Sequence, residues 1–376
     1  MRRVMMIAGE PSGDLHGSGV VRELKKRAPG VDIFGVGGDG MKAEGMDLLF
    51  HINSLSVMGF TEVIRHLPAF RRIEHALEQA LVTRRPEVVV LIDYPGFNLR
   101  FARKARRHRV KLLYYISPQV WAWNRGRVRV IKSLIDQMNV IFPFEVDLYR
   151  KEGVPVDFVG HPLAEQLRSG SSREDFFRRN GLQAGRKLIA LLPGSRQQEV
   201  HRILPAMLQA VPILQSQFSV QAAIGMAPGL SPGLISGLLG KNARVSVLED
   251  ETYELMEHAD AAVVTSGTAT LETGWFGTPM VIVYRTSPLT YFIGRRLVRV
   301  PYIGLVNIVC GRKVVPELIQ HEMSVDNLVS EAGRMFADTA YSAKMRSDLS
   351  FVRSALGGPG ASSRVAENII SLAKAA

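Results

Sequence analysis

An α/β fold of two doubly wound domains, each a parallel sheet covered by helices on both faces, is what this sequence predicts. Three observations lead there. Short runs of continuous apolar residues recur along the chain, each followed by a polar or helical stretch, as strands buried on both faces require. The pattern occurs twice, on either side of a stretch in which Pro, Gly and Ser accumulate, HPLAEQLRSGSSRED (161–175). The length of 376 residues also exceeds what one hydrophobic core comfortably holds. The domains are placed at 1–168 and 169–349, with a helical tail in 350–376.

VMMIAG (4–9) is the first strand, and a helix follows it from about Gly17 to Arg27. The first domain continues with strands at VDIFGVGG (31–38), EVVVLID (87–93), VKLLYYIS (110–117), MNVIFPF (138–144) and VDFVG (156–160). The second repeats the alternation at KLIALLPG (187–194), SVQAAIGM (219–226), ARVSVLE (243–249), AAVVTSG (261–267) and PMVIVYR (279–285). Beyond Ser350 the segments VRSAL and SSRVAENIISLAKA read as helix and carry no chemical motif. Heptads, short repeats and low-complexity tracts are absent. Ligands of such sheets bind outside the carboxyl ends of the strands. The loops after VMMIAG, EVVVLID, LIALLPG and AAVVTSG are therefore expected to share one cleft.

Composition narrows the class. A hydrophobic fraction of 46% with 22% charged residues is that of a soluble globular protein. The one cysteine, Cys310, rules out an internal disulfide and suits a reducing compartment. No apolar run approaches the ~18–20 residues that span a bilayer. The apolar part of the N-terminus is only VMMIA, and Glu10 and Asp14 follow at once, so it reads as a strand and not a signal peptide. A cytoplasmic protein is expected. The net charge of +12 favours anionic partners such as nucleic acid, membrane surfaces or phosphorylated substrates. LRFARKARRHRVK (99–111) carries seven Lys or Arg, and RGRVRVIK (125–132) and RRLVR (295–299) add more. Any one of these runs also reads as a solvated helix face.

Two stretches carry most of the chemistry. In LIALLPGSRQQEV (188–200), Gly194, Ser195 and Arg196 stand between a strand and a helix, where free backbone N–H groups can hold a diphosphate. In ADAAVVTSGTATLE (259–272), Ser266, Gly267 and Thr268 stand at a second such helix start. Glu272 follows about one turn on, where a carboxylate can accept hydrogen bonds from a ribose diol. Two anion-ready helix starts on neighbouring α/β units suggest a nucleotide-diphosphate site.

Other motifs are weaker. Gly35, Gly37 and Gly40 spell G-x-G-x-x-G, but after the second strand, before a poor helix, and with no acidic residue ending a suitable next strand. A Walker-type phosphate loop is absent, since GSR lacks the Lys-Ser/Thr pair. GEPSGDLHG (9–17) is a Gly-rich turn offering Glu10, Ser12, Asp14 and His16 to the cleft; it also reads as a plain turn with Asp14 capping a helix. In IDYPGFN (92–98), Asp93 ends an apolar strand, where a carboxylate is costly without a partner or a task. It caps the turn at Pro95 and Gly96, or deprotonates an acceptor hydroxyl. SPQVWAWNRGR (117–127) places Trp121 and Trp123 beside cations, as a loop brace, a carbohydrate or acyl wall, or ordinary packing. No H-x-x-x-H or Asp-x-Asp supports a metal site. Leaving-group charge is then left to Arg196, the helix termini and other cations.

Taken in order, GEPSGD (9–14), VMGFTEV (57–63), DYPGFN (93–98), ISPQVWAW (116–123), FVGHPLAE (158–165), LLPGSRQQEV (191–200), SGTATLE (266–272) and GLVNIVCGRKVVPELIQ (304–320) closely resemble the lipid-A-disaccharide synthase family. The resemblance runs from the first strand to about Gln320. It implies the GT-B architecture, two Rossmann-like domains facing a central cleft, with the 350–376 helix returning to the N-terminal domain. It implies an inverting glycosyltransferase that joins UDP-2,3-diacylglucosamine to 2,3-diacylglucosamine 1-phosphate (lipid X). The products are the β-1,6-linked disaccharide 1-phosphate and UDP. By position, Asp93 becomes the candidate base for the acceptor 6-hydroxyl, Ser195 and Arg196 diphosphate contacts, and Glu272 the ribose contact. Asn307 and Glu317 fall in a matching nucleotide-side segment. No cofactor and no metal are expected.

Such substrates are acylated, anionic and held at a membrane, which gives the positive charge a reading. LSVMGFTEVIRHLPAFRRIEHAL (55–77) gathers Val57, Met58, Phe60, Val63, Ile64 and Leu67 with Arg65, Arg71 and Arg72 nearby, divided into two helical pieces at Pro68. It can lie in an interface on the inner face of the cytoplasmic membrane, apolar side in lipid and cations at anionic headgroups; the same apolar residues can instead face the core. A homo-oligomer is compatible with the sequence. Two other classes compete. A UDP-sugar epimerase would share the donor site without needing a hydrophobic acceptor surface. A nucleic-acid-binding protein would explain the charge, but no recognised motif accompanies it.

Overall fold

In the computed structural model, residues 1–55, 67–122, 126–167, 170–239, 244–297 and 300–375 are described. Val57, Met58, Phe60, Val63, Ile64, Arg65 and Trp123 lie outside them. The chain divides into two compact units, Met1–Glu165 with Leu356–Ala376, and Gln166–Ala355.

The first unit is built on seven strands: β1 (Arg3–Ala8), β2 (Asp32–Gly37), β3 (Asp47–His51), β4 (Val88–Ile92), β5 (Lys111–Tyr115), β6 (Gln137–Val140) and β7 (Val156–Phe158). Their order is β3-β2-β1-β4-β5-β6-β7, with every pairing parallel. VVVLI of β4 is buried throughout, as a strand covered by helices on both faces must be. The order reverses between β1 and β4, where Ala8 stands opposite Ile92. That reversal sets Glu10 and Asp93 beyond the ends of adjacent strands. One core gathers Met5, Ile7, Leu91, Leu112 and Tyr114 with Phe97 and Phe101.

The second unit holds β8 (Lys187–Leu192), β9 (Val220–Met226), β10 (Val245–Glu249), β11 (Ala261–Thr265), β12 (Met280–Tyr284) and β13 (Glu317–Ile319). Their order is β10-β9-β8-β11-β12-β13, again parallel. The reversal falls between β8 and β11, the two strands that lead into the Gly-Ser-Arg and Ser-Gly-Thr stretches. Ile189, Leu191, Ile203, Leu204, Val263 and Val281 pack in a separate core.

One local expectation is corrected. The first helix runs Pro11–Arg27, not from about Gly17, so most of GEPSGDLHG is helix and not a turn. Pro11 sits at the helix start, where its missing N–H costs nothing. The glycines serve close packing: a Cβ on Gly17 would lie 2.7 Å from Met41 Sδ, and one on Gly19 would lie 2.4 Å from Ser362 Oγ. Strands β3 and β13, unmarked by long apolar runs, form one edge of each sheet.

At the far end, helix Ala361–Lys374 lies against helix Pro11–Arg27. Ser362 anchors it, donating from N and Oγ to the Glu165 carboxylate at 2.8 and 2.7 Å. Among the described residues, no helix is long and apolar enough to cross a membrane.

Candidate active site

In the second unit, β8 and β11 lie side by side, with Leu192 opposite Val264. After β8 the chain turns through Gly194 and Ser195 into helix Gln197–Gln217, capped by Arg196; after β11 it enters helix Thr268–Phe276, capped by Gly267. Two helix N-termini therefore open at the carboxyl ends of neighbouring strands. Their first-turn N–H groups lack intrahelical acceptors and carry partial positive charge. A pocket of about 370 Å³ lies there, lined by Gly194, Ser195, Ser266, Gly267, Thr268 and Glu272, with Tyr253 and Met256 contributing from helix Thr252–His258.

Each side chain has a defined state. Gly194 has φ 112° and lies so near Glu199 that a Cβ would be 2.7 Å from Oε2, so this position requires glycine. Arg196 is 81% exposed, and its Nη1 is 3.5 Å from Glu199 Oε1, a surface pair weak enough to exchange for a phosphate. Ser266 Oγ donates to the Ile303 carbonyl at 2.9 Å. Thr265, also lining the pocket, has a buried hydroxyl with no partner among the described residues, an unmet group beside the space a ligand would fill. Burial pushes the Glu272 carboxyl up to about 7, opposed by the Tyr253 hydroxyl, which donates to Oε1 at 3.5 Å. Burial and Glu272 together push Tyr253 up to about 12.

Asn307 and Glu317 are not among the residues lining this pocket. Asn307 is wholly buried. Its Oδ1 accepts from the Val314 and Val315 amides, and its Nδ2 donates to the Val315 carbonyl and to Glu317. Glu317 accepts in turn from the Ile303 and Gly304 amides at 3.0 and 2.9 Å. The pair braces the loop whose Ile303 carbonyl takes the Ser266 hydroxyl, so it acts on the pocket through Ser266.

In the first unit, Glu10 occupies the N-cap position of helix Pro11–Arg27 without a side-chain capping bond and is exposed, as is Ser12. Asp93 and Tyr94 both have φ 45°, two non-glycine residues in succession in the left-handed region, at a cost of about 1–3 kcal/mol each. Gly9 makes room for Tyr94, because a Cβ there would lie 2.2 Å from the ring. Burial, then the Glu10 charge, pushes the Asp93 carboxyl up to about 6, with the Tyr94 amide opposing. A carboxyl so placed is a usable base near neutrality.

Asp14 has another role. It is buried within the helix, and its carboxylate accepts from Gly38 N at 2.7 Å, Gly40 N at 2.9 Å and Met41 N at 3.0 Å. The amides of the G-x-G-x-x-G turn are thus satisfied by a carboxylate of the chain itself. His16 is pushed down to about 4 by burial, Glu165 opposing, and its buried Nδ1 has no partner among the described residues. It is a neutral imidazole at neutral pH. Trp121 is buried and meets Phe144 edge-on at 5.4 Å, a packing contact.

Of the 55–77 segment, Leu55 is buried in the core, Leu67 opens helix Leu67–Arg84, and Pro68 follows in its first turn. Arg71 and Arg72 are exposed, while Phe70, Ile73 and Leu77 of the same helix are buried. Tyr253, Thr265 and Glu199 were not legible as pocket residues. Thr265 alone had a signal, being the last strand residue before Ser266.

Two Rossmann-type units, one with paired helix N-termini and a buried carboxyl around a nucleotide-sized pocket, define a GT-B-type protein. Solved structures of that fold agree. The UDP-GlcNAc 2-epimerase of Neisseria meningitidis, bound to UDP-GlcNAc, is similar with TM-score 0.67 at 13% identity, covering 99% of this chain and 100% of that one. CalG4, the calicheamicin glycosyltransferase, gives TM-score 0.63 at 16% identity, covering 100% and 99%. The sequence goes further. The family model for lipid-A-disaccharide synthetase (LpxB) matches residues 4–365. Lipid-A-disaccharide synthase of Geobacter sulfurreducens is 45% identical over 98% of this chain and 97% of its own length. That of Myxococcus xanthus is 41% identical over 98% and 97%. The chain belongs to the lipid-A-disaccharide synthase family. It is a glycosyltransferase of lipid A biosynthesis.

Proposed function

We propose that this enzyme transfers 2,3-diacylglucosamine from its UDP derivative to the 6-hydroxyl of 2,3-diacylglucosamine 1-phosphate in one inverting displacement. The second unit's pocket takes the UDP: the helix N-termini at Gly194–Arg196 and Ser266–Thr268 bind the diphosphate, and Glu272 accepts from the ribose diol. Asp93 takes the proton of the acceptor 6-hydroxyl as its oxygen attacks the anomeric carbon. The bond from that carbon to the diphosphate oxygen breaks, and the electron pair leaves with UDP. The growing charge on the leaving group meets Arg196 and two helix termini.

The observation that carries the donor half is the pairing of two helix N-termini on adjacent strands around a buried carboxyl. The observation that carries the base is the raised Asp93 carboxyl on its strained turn. UDP release measured with the labelled lipid phosphate acceptor present and absent tests the reading. Acceptor-dependent release of UDP together with a disaccharide product supports transfer; acceptor-independent turnover of the donor would mean epimerase-like chemistry instead.

The substrates are lipids, so the enzyme works as a peripheral protein on the inner face of an anionic membrane. The 55–77 segment, with exposed Arg71 and Arg72, is the proposed contact. The first unit takes the acceptor, with Glu10, Ser12 and His16 as the remaining candidate contacts.

A further inference from the structure

Asp93 cannot rest in its own backbone conformation without help. It and Tyr94 are both left-handed at φ 45°, a state that unsupported residues of this type leave. Side chains from two other places hold it. Tyr114 Oη, from β5, donates to the Asp93 carbonyl at 2.5 Å. Asn98 Nδ2, from helix Pro95–Arg107, donates to the same carbonyl at 2.8 Å and to the Ile92 carbonyl at 3.1 Å. The Asp93 amide is fixed as well, donating to the Tyr115 carbonyl at 2.9 Å. The Asn98 amide has only one sensible orientation, because both facing carbonyls can only accept. Among the described residues, its Oδ1 is consequently left buried without a partner. Packing alone would not keep such a residue, since an apolar side chain would fill the space without an orphaned acceptor.

The geometry points to Tyr114 and Asn98 as positioning residues for transfer. By holding the Asp93 carbonyl they fix the turn that aims its carboxylate. This deepens the assignment of Asp93 as the base and rests on it. Neither residue needs to touch substrate. Tyr114 is wholly buried, and Asn98 is buried beneath the turn. Removing one donor frees the Asp93–Tyr94 peptide to rotate, and the carboxylate moves with it toward water.

The test compares wild type, Tyr114→Phe, Asp93→Asn and the double variant as full-length enzyme, with the acylated UDP-sugar and the lipid phosphate acceptor. Phenylalanine keeps the buried ring and removes only the hydroxyl. The expected result for Tyr114→Phe is a kcat lower by about 10- to 100-fold, as for a misplacement near 1 Å. The donor KM should stay unchanged, and the acid limb of the pH profile should move to lower pH as the carboxyl gains water. Once Asp93 is Asn, the second substitution should cost nothing further. A folded Tyr114→Phe with wild-type kcat and an unmoved acid limb overturns the inference, as does a lower melting temperature with unchanged kcat. If Tyr114→Phe does not fold, Asn98→Ser is judged by the same readouts. The two levels separate cleanly. Wild-type turnover in Asp93→Asn removes the base itself, whereas a dead Asp93→Asn beside a fully active Tyr114→Phe removes only the clamp.

Discussion

Asp14 Oδ1 accepts a hydrogen bond from the Gly38 amide at 2.7 Å, so the loop that spells a dinucleotide fingerprint is occupied by the protein's own anion. The same carboxylate serves Gly40 and Met41. A Cβ on Gly38 would lie 2.6 Å from Asp14 Oδ2, so glycine and aspartate are mutually required. Motif and structure agree on the physics: such amides seek an anion. They differ on its source.

Asp14→Ala leaves three backbone donors without their acceptor. A buried donor that loses its partner costs about 1–3 kcal/mol, so a loss of a few kcal/mol is expected by urea denaturation. The variant should gain no affinity for dinucleotides, because the next strand, DLLFH of β3, ends without the acidic residue that would take a ribose diol there. A melting temperature equal to wild type would show that water replaces the carboxylate without cost.

Asp93→Asn should remove most transfer, about 10²–10⁴-fold, while the protein stays folded and binds UDP. Its stability should move the other way. In the folded protein its value, about 6, is above the ordinary aspartate value of 3.8. Stability linked to this carboxyl is therefore complete below about pH 4 and lost as pH rises through about 6. Ionised Asp93 then costs roughly 3 kcal/mol at neutral pH. Asparagine removes that cost, so the variant should be more stable than wild type at pH 7.5 and equal to it near pH 3.5. The wild-type rate should rise with pH through about 6, as a base that must be ionised requires.

Glu272 should make UDP binding depend on pH. Burial holds its carboxyl up at about 7, and only the ionised form accepts two hydrogen bonds from a diol. Affinity for UDP should fall as pH drops below about 7, by at most roughly tenfold per unit. Glu272→Gln should bind more weakly at pH 8 and lose the pH dependence. Calorimetric titration between pH 5.5 and 8.5 reads both, and an unchanged slope in the variant would take Glu272 away from the ribose.

Arg196 should matter more to the transition state than to the fold. Its guanidinium is exposed and, among the described residues, pairs with Glu199 alone at 3.5 Å, so Arg196→Ala should leave the melting temperature almost unchanged. UDP affinity and kcat should fall together, because leaving-group charge grows as the bond breaks. The chain has no Asp-x-Asp to present a divalent ion, so transfer should persist in EDTA. Activity lost to chelation and restored by magnesium would contradict this account.

Much of the site was legible because strands buried on both faces announce themselves. VVVLI ahead of Asp93 and AAVVT ahead of Ser266 put both residues at strand ends from the sequence alone. Edge strands β3 and β13 hid because neither carries a long apolar run. The start of the first helix hid because glycine signals both turns and close helix packing, and spacing alone does not separate them. Tyr253 hid for a different reason: it reaches Glu272 from another helix, and no local pattern marks a contact across a fold. Asn307 was legible as a residue of interest but not as a brace, since its partners span Val314 to Glu317.

Membrane contact is expected through the 55–77 segment, and its two ends set the terms. Leu55 is buried at one end, and Phe70, Ile73 and Leu77 are buried at the other, so those positions are committed to the core. Arg71 and Arg72, on the same helix, are exposed. Each cation near an anionic surface contributes ~1 kcal/mol, fading over a Debye length of ~8 Å at physiological salt. Binding to anionic vesicles should therefore weaken as salt is raised, and more so for Arg71→Glu with Arg72→Glu. The apolar part is expected from Val57, Met58, Phe60, Val63 and Ile64, which lie outside the described residues, with Leu67 at the helix start. Replacing Met58, Phe60 and Ile64 with serine should lower vesicle binding at every salt concentration while UDP affinity in detergent solution stays the same. Flotation with vesicles of phosphatidylglycerol and phosphatidylcholine reads the first quantity and calorimetry the second. If the triple variant unfolds, those side chains belong to the core and the lipid-facing surface lies elsewhere. If it stays folded and binds vesicles like wild type, cations alone hold the enzyme at the membrane, and the charge-reversal pair should then abolish binding.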